Sequence, residues 1–269
     1  MNVEAIAAEL KSARDRRKSL EPITARYPQF DLAAAYDVAA LVHAARVRDG
    51  ERPVGRKIGF SNRDLWKPMN VSAPVWGYVY DTTVSYLPHS RGSFAIGPLL
   101  EPRVEPEIVV KLNATPPAGS DPQAILPCVE WIAHGFEIVE CPFPGWKFQA
   151  PDTVAACALH AALLIGQRRN VADLGSDVAG RLQRFTLDLK RNGELHERGG
   201  GAKVLGSPLS ALAHLIAVLA AQPRALPLSA GELITTGTLT GAPLIHAGER
   251  WTSTIDGIDL PGFALSLTV

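Results

Sequence analysis

Two carboxylates, Glu105 and Glu107, stand two residues apart in the segment EPRVEPEIVV. In a β-strand such side chains share one face, so both would project together. Ile108, Val109 and Val110 follow at once, which sets the pair at the lip of an apolar core. Like charges there repel each other and lose hydration, and a divalent cation removes that penalty. Pro106 between them cannot donate to a ladder, which points to an edge or bulged strand opening into a cleft. A third acid, Glu137, interrupts the apolar run HGFEIVE between Phe136 and Ile138. Glu140, three residues on, would face the other way. Three oxygen donors without a cysteine or a clear histidine partner suit Mg2+ or Mn2+ rather than zinc. The competing reading is that Glu105 and Glu107 are exposed strand acids paired with Arg103 or a lysine. His134, three before Glu137, reads as a hydrogen-bonded core residue or part of the surround of such a site.

Two more ionisable groups sit in apolar company. Lys57 lies in GRKIGFS, flanked by glycines and next to Ile58. Burial would lower its pKa and prepare it for proton transfer or for holding an anion; a lysine that snorkels to solvent is the alternative. Asp81 breaks the run VYDTTV and could orient a lysine, accept a proton, or simply be a turn acid. Cys157 and His160 are three apart in a stretch that reads as helix; plain helix packing is the simpler account of them, a Cys–His pair the sharper one.

The elements that must position these groups begin with helices. Val3, Ile6, Ala7 and Leu10 recur at helical spacing, and the basic run ARDRRK after them reads as a solvated helix end. A second helix is expected from about Leu32 to Val47, with Asp31 as its cap and Gly50 ending it. From Gly55 onward short β-type runs alternate with Pro and Gly turns. Residues 114–127 form a Pro-rich loop, and CPFPGWKFQAPD cannot be regular structure. A helix is expected from Thr153 to about Ile165 with Asp152 capping it, a strand from Leu182 to Lys190, a hairpin turn at Asn192–Gly193, and a helix from about Leu209 to Ala221. Strands broken by single helices indicate an α+β fold, divided into a helical N-terminal region (1–54) and a β-rich domain (55–269).

Composition excludes other classes. Among 269 residues, Lys+Arg and Asp+Glu are 27 each, so no excess charge recommends a nucleic-acid binder. Three cysteines without CxxC spacing make neither a disulfide framework nor a zinc site. The longest nearly apolar run, Leu209–Ala220, is too short to span a bilayer. The N-terminus lacks the apolar stretch of a signal peptide, and a soluble cytoplasmic protein is expected. P-loop, Rossmann, HExxH and GxSxG signatures are missing.

Taken in order, GRKIGFS, WGYVYDTTV, EPRVEPEIVVKL, GFEIVE, GWKFQAPDTVA, GGAKVLGSPLSALAHL and GELITTGTLTGAPLIHAGERWTSTIDGI resemble the fumarylacetoacetate hydrolase superfamily. Within it, the sequence is most similar to the branch of 2-keto-4-pentenoate hydratases and 4-oxalocrotonate decarboxylases, and the resemblance covers nearly the whole chain. It implies a mixed β-roll with flanking helices, homo-oligomeric assembly, and Mg2+ or Mn2+ held by Glu105, Glu107 and Glu137. It implies Lys57 and Asp81 as catalytic groups, and Lys147, Gly237 and Thr238 as binders of a small-molecule 2-oxo acid of aromatic catabolism. The implied chemistry is a lyase reaction through a metal-stabilised enolate, hydration before decarboxylation. Acylpyruvate C–C hydrolysis is the other arm's reaction; its lid histidine has no counterpart beyond His43, although His134 or His160 could substitute. Two departures stand out: Ala156–His160 replaces an Asn-Ala-Ser stretch, and FEIVECPFPGW replaces the usual sequence around the third acid.

Overall fold

The computed structural model describes residues 1–269. Three helices open the chain: α1 (Val3–Arg16), α2 (Ile23–Arg26) and α3 (Leu32–Arg48). The side chains of Asn2 and Asp31 accept from Ala5 N and Ala34 N at 2.9 Å each, so α1 and α3 begin where their caps dictate. Twelve strands follow, in chain order β1 (Pro53–Gly59), β2 (Val75–Tyr80), β3 (Val84–Tyr86), β4 (Arg91–Ala95), β5 (Arg103–Leu112) and β6 (Val129–Val139), then β7 (His160–Asn170), β8 (Thr186–Arg191), β9 (Glu194–Gly200), β10 (Leu233–Thr235), β11 (Arg250–Asp256) and β12 (Ala264–Thr268). Interspersed are α4 (Pro122–Ile125), α5 (Ala150–Ala155), α6 (Val178–Arg184) and α7 (Pro208–Ala221).

The strands form two mixed sheets, one of seven strands in the order β2-β1-β10-β5-β6-β7-β3 and one of five, β4-β12-β11-β8-β9. In the larger sheet the two edge strands are consecutive in sequence, linked only by Asp81–Thr83. Laid flat, seven strands would be about 29 Å wide, whereas the step from Tyr80 to Val84 reaches about 14 Å at most. The sheet therefore curls until its edges meet, which makes the expected β-roll. Its outer face carries Ile58, Val104, Ile108, Phe136, Ile138 and Ile234, packed with Leu187, Leu189, Trp251 and Leu265 of the smaller sheet and with α7. Its inner face carries a separate small cluster built on Val79, Val109, Trp131, Ala133, Leu163 and Leu233.

The N-terminal helices cover one end of the roll. Ile6, Leu10, Ile23, Val38 and Val42 pack with Val75, Val139, Phe143 and Val154. Asp152 pins this layer: fully buried, it accepts from Thr24 N at 3.0 Å and Thr24 Oγ1 at 2.7 Å. It stands inside the first turn of α5 rather than before the helix, a correction to its expected capping place.

The helix expected over Thr153–Ile165 is the largest departure. α5 stops at Ala155, and Cys157, Ala158 and Leu159 turn left-handed with φ of 57°, 51° and 62°. β7 then begins at His160, because Leu163 and Ile165 are needed inside the roll and Leu164 outside it; pairing with β6 overrides the helical propensity of Ala and Leu. Gly77 on β2 permits the turn, since a Cβ there would lie 3.0 Å from both Ala158 Cβ and Cys157 O. Likewise Leu182 ends up in α6, not in a strand, and Asp81 splits a run that reads as one strand into β2 and β3. Residues 201–221 are long and apolar enough to cross a membrane by composition. The regular part, α7, covers about 21 Å and buries Leu209, Leu212, Leu215 and Leu219 in the core.

Candidate active site

Antiparallel pairing places Glu105 opposite Glu137 and Glu107 opposite Gly135. All three carboxylates lie on the inner face of the roll, with one oxygen from each within 4.8 Å of the others. Gly135 offers no side chain, which lets β7 come close: a Cβ there would lie 2.6 Å from Leu164 O. Glu107 and Glu137 are 0% exposed, and Glu105 retains 18% of its side-chain surface, so solvent reaches the cluster from the Glu105 side.

β1 delivers the counter-charge. Lys57 pairs across the ladder with Thr235 of β10 and with Gly77 of β2. Its Nζ is 2.8 Å from Glu137 Oε1 and 3.9 Å from Glu105 Oε2. Glu137 also accepts from His160 Nδ1 at 2.7 Å and from Thr235 Oγ1 at 3.3 Å. His160 Nε2 lies 2.8 Å from Thr83 Oγ1, which ties the β2–β3 turn to the cluster. Gly237 N donates to Glu107 Oε2 at 2.8 Å. Its φ of 104° and a Cβ position 1.9 Å from Ser61 Oγ require glycine there. Glu107 Oε1 has no partner at all.

The charges act on one another. Burial alone would lower the Lys57 ammonium, but Glu137, Glu105 and Glu107 outweigh it and raise the pKa to about 12. Lys57 is therefore a held cation, the reverse of the depressed lysine its apolar setting suggested. Burial pushes the Glu137 carboxyl up, yet Lys57 and His160 bring it down to about 2. Glu107 is raised by burial and by its two acidic neighbours, and burial raises Glu105 to about 7 against the pull of Lys57. Burial lowers His160, opposed by Glu137. With all three carboxylates ionised, as metal coordination requires, one ammonium leaves two negative charges, the amount one divalent cation carries. The orphaned Glu107 Oε1, the all-oxygen donor set and this charge balance fit a hard divalent metal.

The other sequence candidates lie elsewhere. Asp81 is held by Arg52, accepting from its N at 2.9 Å and its Nε at 2.8 Å. It meets Arg52 rather than Lys57, at the turn between β2 and β3. Lys147 is exposed on the loop before α5. Thr238 Oγ1 accepts from Thr240 N at 3.4 Å within its own loop. His134 points to the outer face, 2.9 Å from Glu107 O and 2.6 Å from Ser253 Oγ; burial takes its pKa down to about 4. Glu140 lies beyond the end of β6, paired with Arg17. Sequence reasoning missed Thr235 and Thr83. It set His160 on a helix beside Cys157, where the structure puts it on a strand against Glu137.

Several known proteins share this frame. The chain is 32% identical over 263 residues to a 2-hydroxyhexa-2,4-dienoate hydratase of Comamonas testosteroni, covering 95% of this chain and 94% of that one. It is 29% identical over 259 residues to a 4-oxalocrotonate decarboxylase of a Pseudomonas species, again covering 95% and 94%. The structure superposes on 4-oxalocrotonate decarboxylase from Pseudomonas putida G7, complexed with magnesium and adipate, with a TM-score of 0.89 at 25% identity over 98% and 97% of the two chains. Residues 81–260, more than half of the chain and home to all three inward carboxylates, match the fumarylacetoacetate (FAA) hydrolase C-terminal family, and to that family the chain belongs.

Proposed function

We propose that this protein is a divalent-metal-dependent lyase acting on 2-oxo (2-hydroxy-dienoic) acids, as a hydratase of the 2-keto-4-pentenoate type. The observation that carries this reading is the inward cluster of Glu105, Glu107 and Glu137 against Lys57, set in an otherwise apolar roll and reached by solvent from the Glu105 side. Glu105, Glu107 and Glu137 would hold Mg2+ or Mn2+, which when bound would supply Lewis-acid stabilisation of the negative charge on the 2-oxygen as the 2-hydroxyl loses its proton. Lys57, kept protonated by its acidic neighbours, donates a proton to the terminal carbon of the dienol and recovers one as the 2-hydroxyl gives up its own, leaving the 2-oxo-enoate; water then adds its hydroxyl and its proton across the remaining double bond. His160 fixes the orientation of Glu137, and Thr83 steadies the far side of its ring. Gly237 locks Glu107 from the backbone. The apolar wall of Val79, Val109 and Leu163 excludes bulk water, so the charged groups act in a medium where they count for more. The hydratase relatives support this assignment; homo-oligomeric assembly belongs to the same proposal.

A decarboxylase would use the same groups, as the names of other relatives suggest. Proton NMR in D2O with Mg2+ and 2-hydroxypenta-2,4-dienoate separates the cases. A hydrated product with deuterium in its carbon skeleton supports the hydratase. Loss of CO2 from a 2-oxo-enedioate would shift the reading to decarboxylation, and cleavage of an acylpyruvate to hydrolysis. With metal bound, no change in any of the three substrates would contradict the proposal. Lys57→Ala should lower turnover by about 10²–10⁴-fold with Mn2+ still bound.

A further inference from the structure

Arg103 begins β5, two residues before Glu105 and four before Glu107. Pairing with β6 keeps its register from Arg103 through Lys111. Val104 and Ile108 turn to the outer core, so Arg103 shares the inward face of the acids. Its ladder partner is Val139, two residues beyond Glu137. Arg103 therefore stands at the rim of the roll, about 7 Å along the strand from Glu105, the acid on the side that solvent reaches.

An arginine so close to two acids would be expected to pair with them, yet Arg103 forms no ion pair. Glu137 takes Lys57 at 2.8 Å, and Lys57 is also the cation beside Glu105, at 3.9 Å. Glu101, the acid two residues upstream, accepts from Gly145 N at 2.9 Å. What holds Arg103 is neutral. Its Nη1 donates to Ala242 O at 3.1 Å, and the guanidinium lies 4.1 Å from the centre of the Trp146 ring. Trp146 is itself fixed, its Nε1 donating to Glu101 O at 3.0 Å. Arg103 Nε is buried and donates to nothing. An indole that fixes the plane of a guanidinium keeps its fork preorganised for a carboxylate. The charge also reaches the cluster: burial raises the Glu105 carboxyl, Lys57 opposes that rise, and Arg103 opposes it too. A 2-oxo acid arrives as an anion at a site walled by three acids. With Lys57 committed to Glu137, Arg103 offers a positive charge on the open side.

We propose that Arg103, held flat against Trp146 at the rim of the roll, binds the carboxylate of the 2-oxo acid and so fixes the end of the substrate that enters beside Glu105. The inference rests on the proposed function and adds to it the residue that recognises the charge of the substrate.

The test is calorimetry of the Mg2+-loaded protein with 2-oxopentanoate, the saturated analogue of a 2-oxo-pentenoate, beside a Mn2+ titration of each variant. Arg103→Gln should weaken 2-oxopentanoate by about ten- to a hundredfold, the worth of a charge-assisted hydrogen bond, while its Mn2+ affinity stays near that of the wild type. Arg103→Lys, which keeps the charge and loses the fork, should fall between the two. A melting curve confirms folding of each variant, and Arg103→Lys carries the test if Arg103→Gln does not fold. Undiminished 2-oxopentanoate binding in the folded variants would overturn this inference and leave the proposed function standing. So would an equal loss of Mn2+ affinity, which would make Arg103 a structural support of the acids. Failure of the metal-loaded wild type to bind 2-oxopentanoate would overturn both.

Discussion

On β5 and β6, one residue separates two opposite environments. Ile108 and Phe136 face outward into the main core, while Glu107 and Glu137, their chain neighbours, face inward; all four are 0% exposed. The outer face has satisfied apolar contacts. The inner face has three carboxylates, one lysine and an oxygen with no partner. The pleat makes this possible: its period of two lets one strand anchor the fold and carry unfavourable charge at once. The outer face supplies stability, and the inner face uses part of it to hold a buried charged cluster.

That contrast can be broken from either side. Glu107→Gln should lower turnover by about a thousandfold, the equivalent of about 4 kcal/mol. It should also raise the melting temperature of the metal-free protein, since a buried carboxyl disfavoured by burial and by its two acidic neighbours is gone; a lowered melting temperature would mean that the inner acids are structural. Phe136→Ala should do the reverse. It should cost about 3–5 kcal/mol in denaturant unfolding while leaving the Mn2+ affinity of the folded fraction near normal. His160→Gln should weaken Mn2+ binding by about 10–100-fold, read by titration, with little change in unfolding.

The smallest effect concerns a histidine packed outside the roll. His43 stacks on Tyr78 at 4.0 Å and lies 2.8 Å from Tyr80 OH. Burial, with Arg46 and Arg56, lowers its pKa below the usual 6.5. The unfolded chain then binds its proton first, so this stability is present above about pH 6.5 and is lost as pH falls toward the depressed value. His43→Gln should make thermal stability less sensitive to acid over that interval, and an unchanged slope would remove His43 from the account.

The inner face was legible in the sequence where the signal was local. Glu105 and Glu107 show their shared face by spacing alone, and Glu137 shows itself by interrupting an apolar run. The fold class follows from strand runs broken by single helices. What lay beyond reach was cross-strand. No local pattern says that Glu105 faces Glu137, or that Lys57, seemingly an isolated buried amine, is surrounded by three acids that raise its pKa. His160 was hidden because Ala and Leu around it favour helix, whereas pairing with β6 makes it strand. Asp81, held by Arg52 at the β2–β3 turn, shows that turns and sites both interrupt apolar runs.

The central claim is that the three inward carboxylates form one divalent-metal site. Electron paramagnetic resonance titration of Mn2+ into the wild-type protein and Glu107→Gln tests it most directly. The account predicts one bound Mn2+ per chain in the wild type and none at the same concentrations in the variant. Equal stoichiometry and affinity in both would contradict it.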